Sequence, residues 1–142
     1  MRIDLALLCD YAVVDQLGKL SVMGIFEHLW IPRFPAVHPR VHLVVRLKGK
    51  RTEIGQHQVR IALKDEAGND VLTGSGIVTF NEPPAGITEI EAGTVLVFDV
   101  PFDHPGPYHF DIFVDGDMAA SVPMTVAQAP TSEERSSSQG PY

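Results

Sequence analysis

Six histidines, eighteen carboxylates and a single cysteine are the side chains with chemistry to offer, and their spacing decides which chemistry is open to them. His104 and His109 flank Pro105-Gly106-Pro107 and lie near Asp103 and Asp111 in the chain. Two imidazoles and two carboxylates would meet at one zinc-like ion if the strand ends curled together. Closed structural zinc sites use tighter paired spacings, and no cysteine joins this set. His38 and His42 are separated by Pro39, so they cannot form the helical i, i+4 pair of zinc enzymes. Asp99, Asp103, Asp111, Asp115 and Asp117 raise calcium in the same way, yet they form no Asp-x-Asp-x-Asp-Gly loop.

Covalent catalysis needs a nucleophile with a base and an orienting group beside it. No Gly-x-Ser-x-Gly elbow occurs, and Gly74-Ser75-Gly76 is too short to count. Nothing pairs two of the carboxylates for acid–base work, and no cofactor-binding loop is recognisable. The reading therefore leans away from an enzyme without excluding one. Ile3, Leu5, Leu7 and Cys9 fall on one face of a strand at period two, which makes Cys9 a small buried hydrophobe rather than a reactive thiol.

A net charge of −7 argues against a nucleic-acid partner, which would need a basic stripe to displace counterions. Arg46, Lys48, Lys50 and Arg51 form the only local concentration of positive charge and read as a solvated face. One unpaired cysteine suits a reducing compartment, so a cytoplasmic location is expected. No apolar run reaches a membrane-spanning length of about 18 residues, so no membrane partner is expected.

The elements that must position these groups are strands. Turn signals recur at intervals of roughly ten residues, the spacing of a sandwich or barrel. Tyr108, Phe110, Ile112 and Val114 alternate with polar neighbours, Asp115-Gly116 supplies a two-residue turn, and Ala120, Val122, Met124 and Val126 alternate again. A single strand is expected over 20–31, with Gly24 marking a bulge or a close backbone approach. Pro32, Pro35 and Pro39 force an irregular connection suited to a crossover between sheets. Strands half-buried by alternation follow at 42–48 and 58–64, the second despite the helix propensity of Ala62, Leu63, Lys64 and Glu66. Gly74 and Gly76 place an edge or bulge within 71–80, a long loop is expected over 81–93, and Pro123 points to an edge. The expected fold is all-β, an immunoglobulin-like antiparallel β-sandwich of about seven to eight strands over 1–128, with a flexible C-terminal tail over 129–142.

Two resemblances attach to particular residues. Gly106, Tyr108 and Phe110 resemble the tyrosine-corner strand of immunoglobulin-like sandwiches, with Phe110 in place of the usual cysteine. Ala6-Leu7-Leu8-Cys9-Asp10-Tyr11-Ala12, followed by Gly18-Lys19-Leu20 and Gly24-Ile25-Phe26, resembles a family of small bacterial all-β proteins that form a domain of unknown function. That resemblance implies no activity to transfer.

The remaining signal is surplus apolar surface. Leu96, Phe98, Val100 and Phe102 make an inward face, yet Val95 and Val97 opposite them are apolar too, and Phe113 points outward from the next strand. A strand apolar on both faces is normally covered, here by the 81–93 loop, by the Pro-rich 32–39 segment, or by a second copy or partner. Trp30 is a further interface candidate because aromatic residues dominate binding hot spots. The expected function is a non-catalytic binding or assembly module that self-associates, with Val95, Val97, Phe113 and Trp30 at the interface. The competing reading is a metal-binding protein or metal-dependent enzyme using Asp103, His104, His109 and Asp111.

Overall fold

A computed structural model describes residues 1–130. Nine strands follow one another: β1 Arg2–Val14, β2 Leu20–Phe26, β3 His28–Ile31, β4 Ala36–Lys50, β5 Gly55–Lys64, β6 Asp70–Phe80, β7 Glu89–Phe102, β8 Gly106–Val114 and β9 Asp117–Gln128. A single turn of 3₁₀ helix, Arg51–Glu53, joins β4 to β5. Two sheets form, one in the order β2-β1-β4-β7 and the other in the order β3-β9-β8-β5-β6. This is the expected all-β sandwich, with nine strands instead of seven or eight.

The extra strand comes from the expected single strand over 20–31. Its two halves join different sheets: β2 pairs antiparallel with β1, and β3 pairs parallel with β9. Glu27 is the switch point, its carbonyl accepting from the Thr125 N–H at 2.8 Å. One parallel pair therefore stands in a sandwich expected to be wholly antiparallel. Because β3 covers only Thr125–Gln128 of β9, Pro123 lies where β9 is an open edge, as its missing donor requires. The 32–35 segment then crosses between the sheets, as the prolines indicated.

Asp115 and Gly116, with φ of 49° and 89°, close β8 onto β9. The Tyr108 hydroxyl donates to the His104 carbonyl, four residues upstream, at 2.6 Å. The expected 81–93 loop is shorter, since β7 begins at Glu89 and Ile90 pairs with Gly49. Gly74 and Gly76 do lie in an edge strand, and their missing side chains admit the neighbouring sheet. A Cβ on Gly74 would stand 2.6 Å from the Phe98 ring, and one on Gly76 would stand 3.0 Å from Leu96.

The core between the sheets includes Leu43, Leu47, Ile61, Leu63, Phe80, Phe102, Phe110, Ile112 and Met124. Each such large side chain contributes roughly 1.5–3 kcal/mol by leaving water. Two expectations about faces need correction. A register shift between Ile3 and Leu5 turns Ile3 to this core, away from the face of Leu5, Leu7 and Cys9. Residues 41–45 of β4 are all buried, so the strand is covered on both faces rather than one. Ala129 is also buried and donates to Ile31, so ordered structure passes the expected tail boundary, and residues 131–142 of that tail lie outside the described residues.

Candidate functional site

The second cover on β4 is built by the β1–β2 hairpin. Its turn is set by Asp15, whose carboxylate accepts from the Leu17 and Lys19 N–H groups at 2.8 and 2.9 Å. Ala12 and Leu20 of the hairpin pack with Cys9, Val44 and Val95 on the outer face of the four-stranded sheet. Leu20 sits over Gly93, where a Cβ would lie 3.1 Å from its Cδ1. Gly24 has φ 71°, and the Asp10 carboxylate takes the space its Cβ would need. Hence Val95 is covered by this hairpin rather than by the 81–93 or 32–39 segments. Cys9 lies fully buried beneath it, and burial pushes its thiol pKa up, away from thiolate reactivity.

Among the described residues nothing covers the hairpin's other surface. Tyr11, Val13, Met23 and Ile25 on this surface are exposed, as are Leu17 at the turn and Val14 and Val22 on the face of Ala12 and Leu20, together seven of the fifteen large exposed hydrophobics among the described residues. Tyr11, Met23 and Ile25 are 54, 70 and 63% exposed, beyond what scattered surface apolar residues require. Ile25 pairs with Cys9, Cys9 with His42 and His42 with Val97, but Cys9 and His42 are buried, so exposed Val97 stands apart from the hairpin's apolar surface. Beside it lies a crevice of about 350 Å³ lined by residues that include Tyr11, Phe26, His38, Arg40, His42 and Val97. Arg40 adopts φ 53°, and its N–H donates to Asp99 at 3.0 Å. The Arg40 carbonyl accepts from His42 Nδ1 at 2.9 Å, and the His42 ring stands 5.6 Å from Tyr11. Burial pulls the pKa of His38 down, which favours its neutral form in this crevice.

A second polar constellation lies at the far end of β5. His57 Nδ1 is 2.7 Å from Asp115 Oδ2, and Nε2 is 2.6 Å from the Glu53 carbonyl. Both partners accept, so both ring nitrogens carry protons and the imidazolium form is favoured. The Asp115 hydrogen bond, seconded by the Glu53 carbonyl, raises the His57 pKa, while His57 lowers that of Asp115. An Asp–His pair invites a general-base reading. Here no ring nitrogen is left to take a substrate proton, and the arrangement works as a clamp between the β8–β9 turn and the 3₁₀ turn.

The residues singled out from sequence are dispersed. His104 Nε2 lies 3.8 Å from Asp65, a residue outside the expected set, whereas His109 Nε2 lies 3.6 Å from Asp111. Asp103 is exposed on the turn after β7. Among the described residues no three His, Cys, Asp or Glu side chains gather as a metal site requires. Asp111 is buried, and its Oδ1 finds no hydrogen-bond partner among the described residues. Val95 and Val97 stand on the four-stranded sheet and Phe113 on the five-stranded one, so the three do not share a surface. Phe113 is instead capped by the Arg60 guanidinium, 4.4 Å from its ring centre. Trp30 lies on β3 between buried Leu29 and Ile31, its ring 5.9 Å from that of His28.

Sequence reasoning missed the hairpin, although Val13-Val14 and Val22-Met23 are apolar on both faces of their strands and carried the same signal as Val95 to Val97. It also read Arg51 as solvated. Arg51 donates to the carbonyls of Pro83, Pro84 and Ile87 at 3.2, 2.7 and 2.8 Å, tying the 81–88 loop to the 3₁₀ turn. Nothing in the pattern of charges marks that contact.

A model described as "Family of unknown function (DUF6941)" matches residues 4–127. The chain belongs to that family. No curated protein matches it in sequence. Among solved structures, a β-glucosidase from Listeria innocua in complex with isofagomine is similar at 11% identity and a TM-score of 0.45, over 75% of this chain and 15% of that one. The Pseudomonas fluorescens alkylpurine DNA glycosylase AlkC bound to abasic-site DNA is similar at 12% identity and a TM-score of 0.39, over 86% of this chain and 30% of that one. This chain thus spans a small part of either protein, and neither likeness bears on activity. No helix among the described residues is long and apolar enough to cross a membrane.

Proposed function

We propose that this member of the DUF6941 family is a non-catalytic, cytoplasmic docking module that binds protein surfaces, including its own, through the exterior of the β1–β2 hairpin. The observation that carries this reading is the concentration of exposed apolar side chains on one hairpin, beside which Tyr11 and Val97 line one crevice. The clamp at His57 has both ring nitrogens engaged, which favours binding over proton transfer as the work of this chain.

The test is a Tyr11→Asp, Ile25→Asp double variant. Both side chains are exposed, so the melting temperature is expected to stay within a few degrees of the parent, because surface substitutions away from special features change stability by about 0.5 kcal/mol or less each. Interactions of the tagged chain in its source cells, together with its own association, are expected to fall at least tenfold. A variant that keeps every interaction of the parent would overturn the reading.

A further inference from the structure

Edge strands expose unpaired backbone groups, and natural sheets guard them with charges, prolines, shortness or covering elements. Three of the four edges of this sandwich are guarded. β3 is four residues long, and the open part of β9 carries Asp117 and Pro123. β6 begins with Asp70 and lies against β7, its glycines receiving Phe98 and Leu96. β7 itself carries Glu89, Glu91 and Asp99. β2 is different. It ends its sheet with the sequence Leu-Ser-Val-Met-Gly-Ile-Phe, without a charge or a proline, and residues 21 to 25 are all exposed.

We propose that the β2 edge is a homodimer seam, at which β2 of one copy pairs antiparallel with β2 of a second copy to join the two four-stranded sheets into one. The inference rests on the reading of the hairpin as a docking element and names its occupant. A second copy fits for three reasons. Antiparallel pairing of identical strands is isologous and closes on itself, which uses up both β2 edges and leaves only the charged β7 edges at the ends of the joined sheet. An uncharged strand meets itself without like charges opposed across the seam, whereas a chain carrying −7 overall has few other neutral edges to offer. The pairing also merges the two hairpin exteriors, since Tyr11 pairs with Met23 and Val13 with Ser21 within each copy. One continuous apolar surface then spans the seam. The regular stretch of β2 before Gly24, whose φ of 71° bends the strand, supplies the paired backbone.

Molar mass by light scattering over a roughly hundredfold concentration range reads the association. The parent is expected to approach twice its 15.5 kDa, and Met23→Lys, which opposes like charges near the two-fold axis, is expected to return it to one chain's mass at the same concentrations. Single cysteines at Ser21, Val22 and Met23 then locate the seam. Paired Cα atoms about 4.5–5.5 Å apart suit a disulfide. Mild oxidation is expected to cross-link the position nearest the axis into dimers, while Ile77→Cys on the β6 edge stays uncrosslinked. The native Cys9 is fully buried and stays out of the reaction. A dimer in which none of the three cysteines cross-links, or one unaffected by Met23→Lys, overturns the seam. A monomer at every concentration overturns it too. In that case persistence of captured partners sensitive to Tyr11→Asp, Ile25→Asp leaves the docking reading standing, and their absence removes both.

Discussion

At the scale of the residue, the charge of His57 ties the 3₁₀ turn to the β8–β9 turn. The histidine's folded pKa is raised, chiefly by the hydrogen bond to Asp115, so the imidazolium is stabilised in the folded chain relative to the unfolded one. The sign follows from linkage: stability from this clamp is fully present below the ordinary histidine value of about 6.5 and is lost as pH rises through the raised folded value. Asp115 behaves oppositely, since its lowered pKa means its contribution fades as pH falls below the ordinary aspartate value of about 3.9. Urea midpoints measured across pH should therefore decline above neutrality by more in the parent than in His57→Ala. At pH 6 the same variant should be less stable by about 1–3 kcal/mol, the worth of hydrogen bonds to charged groups. A parent and variant with parallel pH profiles would show that the clamp is not charged. Gly49→Ala probes packing at the same scale. A Cβ there would stand 2.7 Å from the ring of fully buried Phe80, which has nowhere to move, and overpacking of that kind costs roughly 1–3 kcal/mol.

At the scale of the element, what could be read from sequence was whatever local chemistry dictates. The β8–β9 hairpin was legible because Asp115-Gly116 has few other conformations to offer. The division of 20–31 was not, since no breaker stands at Glu27 and only pairing with β9 pulls β3 away from β2. The 89–93 stretch was read as the end of a loop marked by Pro83-Pro84 and Gly86, yet it is strand, and Gly93 serves close packing under Leu20. The candidate metal set shows a related limit: Asp103 and His104 lie in the turn before β8, where His104 faces Asp65, while His109 and buried Asp111 stand further along β8. Added zinc should accordingly leave the melting temperature unmoved, whereas a rise abolished by His109→Ala would restore the metal reading. The 81–88 loop yields a further prediction. With three carbonyls held by one guanidinium, Arg51→Ala should speed amide exchange across 83–88 while β4 and β7 keep their protection, and should cost about 1–2 kcal/mol given the partial exposure of the side chain. Exchange unchanged in that loop would mean the backbone holds itself there without Arg51.

At the scale of the whole molecule, charge and apolar surface are unevenly distributed, and the two together fix how association should respond to salt. The chain carries −7, yet the strand at its unguarded edge carries none. Two copies brought together by β2 therefore gain apolar and backbone contact at the seam and pay in long-range repulsion between their remaining surfaces. Salt acts on the second of these far more than on the first. The screening length falls from about 30 Å at 0.01 M to about 10 Å at 0.1 M, which removes repulsion between charges spread over two such bodies and leaves a neutral seam untouched. The dimer should consequently tighten by a few-fold over that range, measured as the concentration at half-maximal mass in light scattering. An interface built from ion pairs would respond with the opposite sign, because screening weakens attraction between its exposed charges. The direction of the salt effect thus separates a neutral β2 seam from any association through the charged groups around Arg46, Lys48, Asp4 and Glu89, which are already paired with one another within the chain.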